Sequence, residues 1–272
     1  MGNLIPSLTI LAMTVSALIG IAIPVVLYVI FRKKGANHLP FWTGAVTFVL
    51  FAFVLERLAY SFVMKMPVWT TITSNLVLYG VVAGLFAGVF EETGRFIAFK
   101  TVLRKKRNQD YNGLMYGAGH GGIEAVILLS STMVINIVFS LQFNAGISSP
   151  LGGADAAQGL INTPFWTMLV GAFERMIAVT THISLSVLVW FAAKNGKRFW
   201  LFPLAILLHM LVDAVAVILS GLGMSAGIIE GAIFVMAILF VLLAVAVWKK
   251  NHVELPEETP AAIPADESAA EE

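Results

Sequence analysis

The chain has 272 residues, of which 58% are apolar and only 12% are charged, and its mean hydropathy is +0.87. Soluble domains carry about 25% charged residues, so this composition indicates an integral membrane protein. The net charge of +1 argues against a nucleic-acid-binding protein, and the lack of cysteine excludes disulfides, thiolate nucleophiles and cysteine-type zinc sites.

Seven apolar runs are long enough to cross a bilayer, which takes about 20 helical residues. The first run has no basic region before it and continues to Phe31, so we expect a retained span rather than a cleaved signal peptide. We predict an all-α, polytopic transmembrane helix bundle over residues 1–250. Its spans are 4–31, 41–64, 73–100, 113–142, 165–193, 199–221 and 226–248.

Basic residues are concentrated at one end of these spans. Seven crossings place thirteen of the 17 Lys and Arg residues on one side, and only Lys65 lies in a loop on the other. Since cytoplasmic loops are rich in Lys and Arg, we expect a multi-pass protein of the cell membrane with its N-terminus outside and its C-terminus in the cytoplasm. The thirteen are Arg32, Lys33, Lys34, Lys100, Arg104, Lys105, Lys106, Arg107, Lys194, Lys197, Arg198, Lys249 and Lys250.

Two segments are expected to lie outside the bilayer. Residues 143–164 have no basic residue and are rich in Gly, Ala and Ser, which predicts a mobile external loop. Residues 251–272 are acidic and rich in Pro and Ala, so they cannot bury a core. We predict a disordered cytoplasmic tail there.

Ionisable residues recur inside the predicted spans, where each costs about 2.5–3.5 kcal/mol at mid-helix. Such residues usually face the bundle interior and pair with one another. At about 1.5 Å per residue from the cytoplasmic end, spans 3, 4, 5 and 6 each bring a Glu or His to one layer in the cytoplasmic half of the bilayer. The groups concerned are Glu91, Glu92, His120, Glu124, His182 and His209, with Asp213 slightly deeper.

Spacing along each helix indicates which groups share a face. Arg95 follows Glu91 by four residues and Glu92 by three, so it can pair with either glutamate and hold it ionised while the other stays free. Two further pairs are four residues apart and lie on single helix faces: His120 with Glu124, and His209 with Asp213.

Four other intramembrane ions are expected to lie outside this layer. Glu56 and Arg57 are interpreted as structural. Glu174 and Arg175 lie about 28 Å from the cytoplasmic end, near the external face, which favours a structural ion pair or an external gate.

Rows of glycine suggest how the helices approach one another. Small residues spaced by four let helix backbones come close. We expect span 3 to pack against span 4, which would bring Glu91 and Glu92 near His120. The rows are Gly80, Gly84 and Gly88 on span 3, and Gly113, Gly117 and Gly121 on span 4.

Histidines and carboxylates are ligand types that zinc favours. Zinc lowers the pKa of a bound water to about 7, and a nearby glutamate can take its proton. The same residues could also act without a metal, with a glutamate–histidine pair activating water and another histidine stabilising the oxyanion.

Four short motifs in order, over about residues 70–220, resemble a known family. They are EETGR, GHGGIEA, ER followed by THISLS, and HMLVDA. The set resembles the YhfC family of bacterial membrane proteins, described as intramembrane metalloproteases, and is similar to the CAAX-protease and bacteriocin-processing superfamily and to the PrsW proteases.

The resemblance implies an intramembrane endopeptidase, zinc-dependent or metal-free, acting on a membrane-embedded or membrane-proximal peptide. It implies that Glu91 and Glu92 are the catalytic base and its partner, with Arg95 fixing the charge. The implied metal- or water-binding residues are His120, His182 and His209, supported by Glu124 and Asp213. Asp213 stands where the wider superfamily often has Asn.

Two other functions remain compatible with these residues. Intramembrane Glu and His chains also serve as proton relays, so a proton- or metal-coupled transporter is one alternative, although no inverted repeat is evident. A catalytically silent membrane scaffold that keeps the polar layer as a binding site is the other.

Overall fold

A computed structural model describes residues 4–252 of the chain. Within them, seven helices are long and apolar enough to span a membrane, and no strand is present, which confirms the predicted all-α transmembrane bundle. We name the seven helices α1 to α7 in chain order. Their bounds are Ser7–Lys33, His38–Val63, Leu76–Lys100, Tyr111–Asn144, Thr167–Lys194, Leu201–Gly221 and Ala226–Asn251.

The helix ends lie within a few residues of the predicted spans. The last helix continues to Asn251, so this residue does not belong to the predicted tail. Residues 253–272 lie outside the described part of the chain, and disorder there stays a prediction.

Two of the long helices contain a π-helical segment. In α2 the segment is Val49–Glu56, and in α4 it is Val126–Ser130. A π turn shifts the backbone hydrogen bond by one residue, widens the helix locally, and frequently marks a functional site. Nothing in the hydropathy of either span predicted these segments.

The central helix of the bundle is α5, and residues 184–193 near its C-terminus are all buried. Trp190 meets the Phe99 ring edge-on at 5.0 Å between centroids, and Phe99 meets Tyr116 at 4.6 Å. This aromatic core lies at the end of the bundle that carries the basic loops. It fixes the positions of α3, α4 and α5 relative to one another.

Asp110, in the loop before α4, joins three elements at the same end of the bundle. Its carboxylate accepts hydrogen bonds from Trp190 Nε1 at 2.8 Å and from Lys194 Nζ at 2.5 Å, both on α5. The His252 Nδ1 atom, just after α7, lies 3.0 Å from its other oxygen. Asp110 therefore helps to hold the loop, α5 and the end of α7 together.

The glycine row of α3 packs against α6, and that of α4 packs against α5. A side chain at Gly84 would collide with the carbonyl oxygen of Met210, and one at Gly117 would lie 2.7 Å from the Ile183 Cα atom. The expectation that span 3 packs on span 4 is therefore wrong. A row of small residues indicates that a helix is closely approached, but it does not say by which helix.

The segment between α4 and α5 contains a short helix, Ala154–Asn162, so the prediction of a mobile loop is wrong for this part. Three apolar residues spaced by three and four lie on one face of it and pack on the N-terminus and on α4. These contacts join Ala157, Leu160 and Ile161 to Ile5 and Phe139.

Candidate active site

Side chains from α3, α4, α5 and α6 meet in one buried cluster, which confirms the predicted convergence. The imidazole centroids of His120 and His182 are 4.8 Å apart, and those of His182 and His209 are 5.4 Å apart. Glu91 and Glu92 lie beside these rings, and none of these five residues exposes more than 7% of its surface. The roles of the individual residues stay predictions.

Arg95 pairs with Glu92, a choice that the sequence left open. One guanidinium nitrogen, Nη1, donates to both carboxylate oxygens of Glu92, and both residues are fully buried. The His209 Nδ1 atom lies 2.8 Å from Glu92 Oε1. Because an ionised carboxylate only accepts hydrogen bonds, His209 carries a proton on Nδ1, and Nε2 is the nitrogen that can bind a metal when the imidazole is neutral.

Glu91 is the glutamate that remains accessible. Its Oε2 atom lies 2.8 Å from His120 Nε2 and 3.9 Å from His182 Nδ1. Its Oε1 atom makes no hydrogen bond with any residue in 4–252. Glu91 lines both cavities described below, whereas Glu92 lines neither.

His182 lies between Arg95 and Glu124. The Arg95 Nη2 atom donates to His182 Nδ1 at 3.2 Å, and a guanidinium cannot accept a hydrogen bond. The His182 Nε2 atom lies 2.6 Å from Glu124 Oε2. Both nitrogens of this imidazole are therefore next to charged groups of the cluster.

Arg175 belongs to the cluster, although its depth along α5 predicted a place near the external face. Its Nη1 atom donates to Glu124 Oε1 at 2.5 Å, and its Nη2 atom also bonds Glu174. Depth along α5 locates only the Cα atom of Arg175, whereas an arginine side chain reaches over another full turn of helix. A usable signal was present, since Arg175 and His182 are seven residues apart and share one face of α5.

Asp213 lies at the edge of the cluster. Its Oδ2 atom is 3.6 Å from His209 Nε2, which is too far for a hydrogen bond. The predicted contact across one turn of α6 is therefore present only as a loose pairing of charges.

Two cavities meet at the cluster. The large cavity, about 480 Å³, lies between α2, α3 and α4, and the small cavity, about 130 Å³, is lined by α3, α4, α5, α6 and α7. Glu91 and Glu124 are the two residues that line both. The buried cluster can therefore be approached from two directions.

A sequence model of the family described as YhfC intramembrane metalloprotease matches residues 19–240. The chain belongs to the YhfC family. It is 33% identical over 246 residues to the uncharacterized membrane protein YhfC of Bacillus subtilis (strain 168), a match that covers 87% of this chain and 93% of that protein. No solved structure matches the chain.

In this member of the YhfC family, Glu91, His182 and His209 could together hold a metal ion. One ligand atom from each lies within 4.8 Å of the other two. Two ligands of one zinc ion are about 3–4 Å apart, given bonds of about 2.0–2.2 Å, so a small inward movement would complete the site.

The surroundings of this group also suit a metal. The contact of Glu92 with His209 Nδ1 is the carboxylate–histidine arrangement that orients a metal-binding imidazole. His120, predicted as a third imidazole ligand, is not a member of this group. The residues present therefore fit a metal ion held by two imidazoles beside a carboxylate, once His182 exchanges its contact with Arg95 or Glu124 for the metal.

Proposed function

We propose that this protein is an intramembrane endopeptidase that hydrolyses a peptide bond in or near the membrane, with zinc as its metal. The observation that carries the proposal is the accessible carboxylate of Glu91, which lies beside His120, His182 and His209 and faces two cavities. A reactive carboxylate next to imidazoles in a cleft is typical of a hydrolytic site.

Glu92 and Arg95 are proposed to orient the site rather than to react. Both oxygens of Glu92 are occupied by Arg95, and one also bonds His209, so this carboxylate has little capacity left for water. Its role is to hold His209 Nδ1, so that Nε2 is the nitrogen left for a metal. Arg95 extends the same control to His182 through its Nη2 atom.

Glu91 is proposed to accept the proton of the attacking water. Its Oε2 atom is held by His120, and its Oε1 atom is free of partners among the described residues. Zinc held by His182 and His209 beside this carboxylate would supply a Lewis acid and a more acidic water. His120, bonded to the same carboxylate, is placed to pass a proton towards the departing amine.

The positions of the basic residues support a place in the cell membrane with the N-terminus outside. Lys33, Lys100, Lys194 and Lys250 all lie in the last turn of a membrane-spanning helix at one end of the bundle. That end is proposed to face the cytoplasm, because cytoplasmic loops retain Lys and Arg. The cluster would then lie in the cytoplasmic half of the bilayer.

Metal analysis and peptide cleavage test this function on the detergent-purified protein. We expect about one zinc per chain, lost in His209→Ala, and cleavage of some members of a panel of single-span peptides. Glu91→Gln should lower cleavage by about 100-fold or more, the usual contribution of a general base. Glu230→Gln is the matched control, because this intramembrane glutamate lines neither cavity.

The outcomes separate the alternatives. Unchanged cleavage in Glu91→Gln, Glu92→Gln, His120→Ala and His209→Ala would reject the proposed site. Cleavage by protein without zinc would support the metal-free pair of Glu91 and His120. A folded, zinc-loaded protein that cleaves no peptide would favour a scaffold, and proton-driven uptake into proteoliposomes would favour a transporter.

A further inference from the structure

The large cavity forms a path along α3 towards Glu91. Four residues of α3 spaced by one turn line it, and two of them are alanines, whose small side chains leave room between the helices. The path begins near Met64 at the end of α2 and ends at the cluster. The four residues on α3 are Tyr79, Ala83, Ala87 and Glu91.

The two π-helical segments in residues 4–252 both contribute to the wall of this cavity. Ala52, Phe53 and Glu56 come from the segment in α2, and Leu128 comes from the segment in α4. Because π turns recur at functional sites, their meeting at one cavity is evidence for a ligand there. The volume of about 480 Å³ lies within the range of about 300–1,000 Å³ that is typical of ligand pockets.

Glu56 is the carboxylate of this wall that lacks a cationic partner. Glu91 is bonded to His120 and Glu124 to Arg175, but no Lys, Arg or His nitrogen of residues 4–252 lies within 4.0 Å of the Glu56 carboxylate.

The neighbouring cation in sequence, Arg57, lines the same cavity but forms no ion pair with Glu56. Its guanidinium carbon lies 4.9 Å from the centre of the Phe53 ring, and adjacent residues of a helix do not face each other. Ionisable residues within membrane spans usually face a cavity or a partner and mark candidate functional sites, and Glu56 faces the large cavity.

We propose that the large cavity receives the substrate peptide and that Glu56 binds a lysine or arginine side chain of that peptide. The inference rests on the proposed peptidase function and names its preferred substrate, a peptide with a basic residue a few positions from the bond that is cleaved. The peptide's cation supplies the ion-pair partner that Glu56 lacks among residues 4–252, and the carboxylate gives the site its selectivity.

Peptides that differ at one position test this inference. The substrates are a series of single-span peptides in which one position holds Lys, Gln or Glu. This position is shifted along the peptide by one residue at a time, and kcat/KM is measured for each peptide. We expect the Lys peptide to be preferred over the Gln peptide by about 10-fold or more at one position, as for a charged hydrogen bond. Glu56→Gln should reduce this ratio to about 2-fold or less, and Glu56→Lys should reverse the preference towards the Glu peptide.

A binding measurement makes the result independent of catalysis. In the Glu91→Gln background, a photoreactive residue replaces Ser61, which also lines the large cavity, and cross-linking to the same peptides is quantified. The Lys peptide should be captured best, and Glu56→Gln should remove the difference. Arg57→Gln should strengthen it by removing a nearby like charge, and Glu230→Gln should leave it unchanged.

The outcomes distinguish this inference from the proposed function. Cleavage whose Lys preference survives Glu56→Gln would overturn the inference and leave the peptidase intact. Lys-selective cross-linking that depends on Glu56, with no cleavage of any peptide, would support the inference and reject the peptidase. Cross-linking without preference while Glu56 is intact, in a protein that unfolds at the wild-type temperature, would also overturn it.

Discussion

The two ends of the bundle are built in different ways. At the end that carries the basic loops, Phe99, Tyr116 and Trp190 pack tightly and are fully buried. At the other end, the second half of α2 borders the large cavity, and Glu56 in its wall has no ion-pair partner among the described residues. The polar cluster lies between them, so the packed end can hold the imidazoles in place while the open end leaves a route to Glu91.

Trp190 offers the severest test of the packed end. Trp190→Ala should lower the free energy of unfolding by about 3–5 kcal/mol, because the indole is fully buried against Phe99 and bonded to Asp110. The measurement is a denaturant titration in mixed micelles. Trp42→Ala is the control, since Trp42 is 61% exposed, and a similar loss there would show that this end is not the rigid part.

Removing the carboxylate of Asp110 should cost about 2 kcal/mol. Asp110→Ala leaves the Trp190 indole and the Lys194 ammonium without their acceptor. A hydrogen bond to a charged group contributes about 1.5–3 kcal/mol to the free energy of unfolding. The same titration measures the loss. Asp155→Ala removes an exposed carboxylate and should stay within about 0.5 kcal/mol, so equal effects would contradict the role given to Asp110.

Where α2 and α4 cross, the backbones are so close that one added methyl group should lower stability. Gly119→Ala would drive a Cβ atom into the backbone of Phe41, and overpacking of this kind costs about 1–3 kcal/mol. Gly231→Ala, in α7, meets no atom within 4 Å and should instead stabilise by up to about 1 kcal/mol through helix propensity. The two variants should change the unfolding temperature in opposite directions. A change in the same direction would contradict the close contact of Gly119 with the Phe41 backbone.

At the open end, a substitution should be able to lower activity without changing stability. Ala87→Leu places a larger side chain in the large cavity, so it should change stability by less than about 0.5 kcal/mol while cleavage of single-span peptides falls about 10-fold. Val89→Leu, on the same helix and 39% exposed, should alter neither quantity. Full cleavage in Ala87→Leu would show that the substrate does not use this cavity.

The spans and the polar layer could be predicted because both depend on one-dimensional patterns. Apolar runs give the length of each helix, and the rise per residue brings His120, His182 and His209 to similar depths. The family could be inferred from four ordered motifs within the region that the family model matches.

Choices between partners could not be predicted, because they depend on how helices are arranged around one another. Spacing allows Arg95 to reach Glu91 or Glu92, and only packing of α3 on α6 brings His209 to Glu92. Depth along α5 placed the Arg175 backbone but not its guanidinium. The π-helical segments have ordinary hydropathy and could not be predicted from the sequence. The role inferred for Glu56 depends on the cavity that these segments line, which only the structure shows.

Glu91 and Glu124 form a thin partition between the large cavity and the small cavity. Truncating either residue to alanine would merge those spaces and let water spread among the charges of Arg95 and Arg175. A loss of turnover after such a truncation would then reflect two effects at once: the missing carboxylate and the entry of water into the cluster. Glutamine keeps the partition in place, so the amide variants are the ones whose kinetics report on the carboxylate alone.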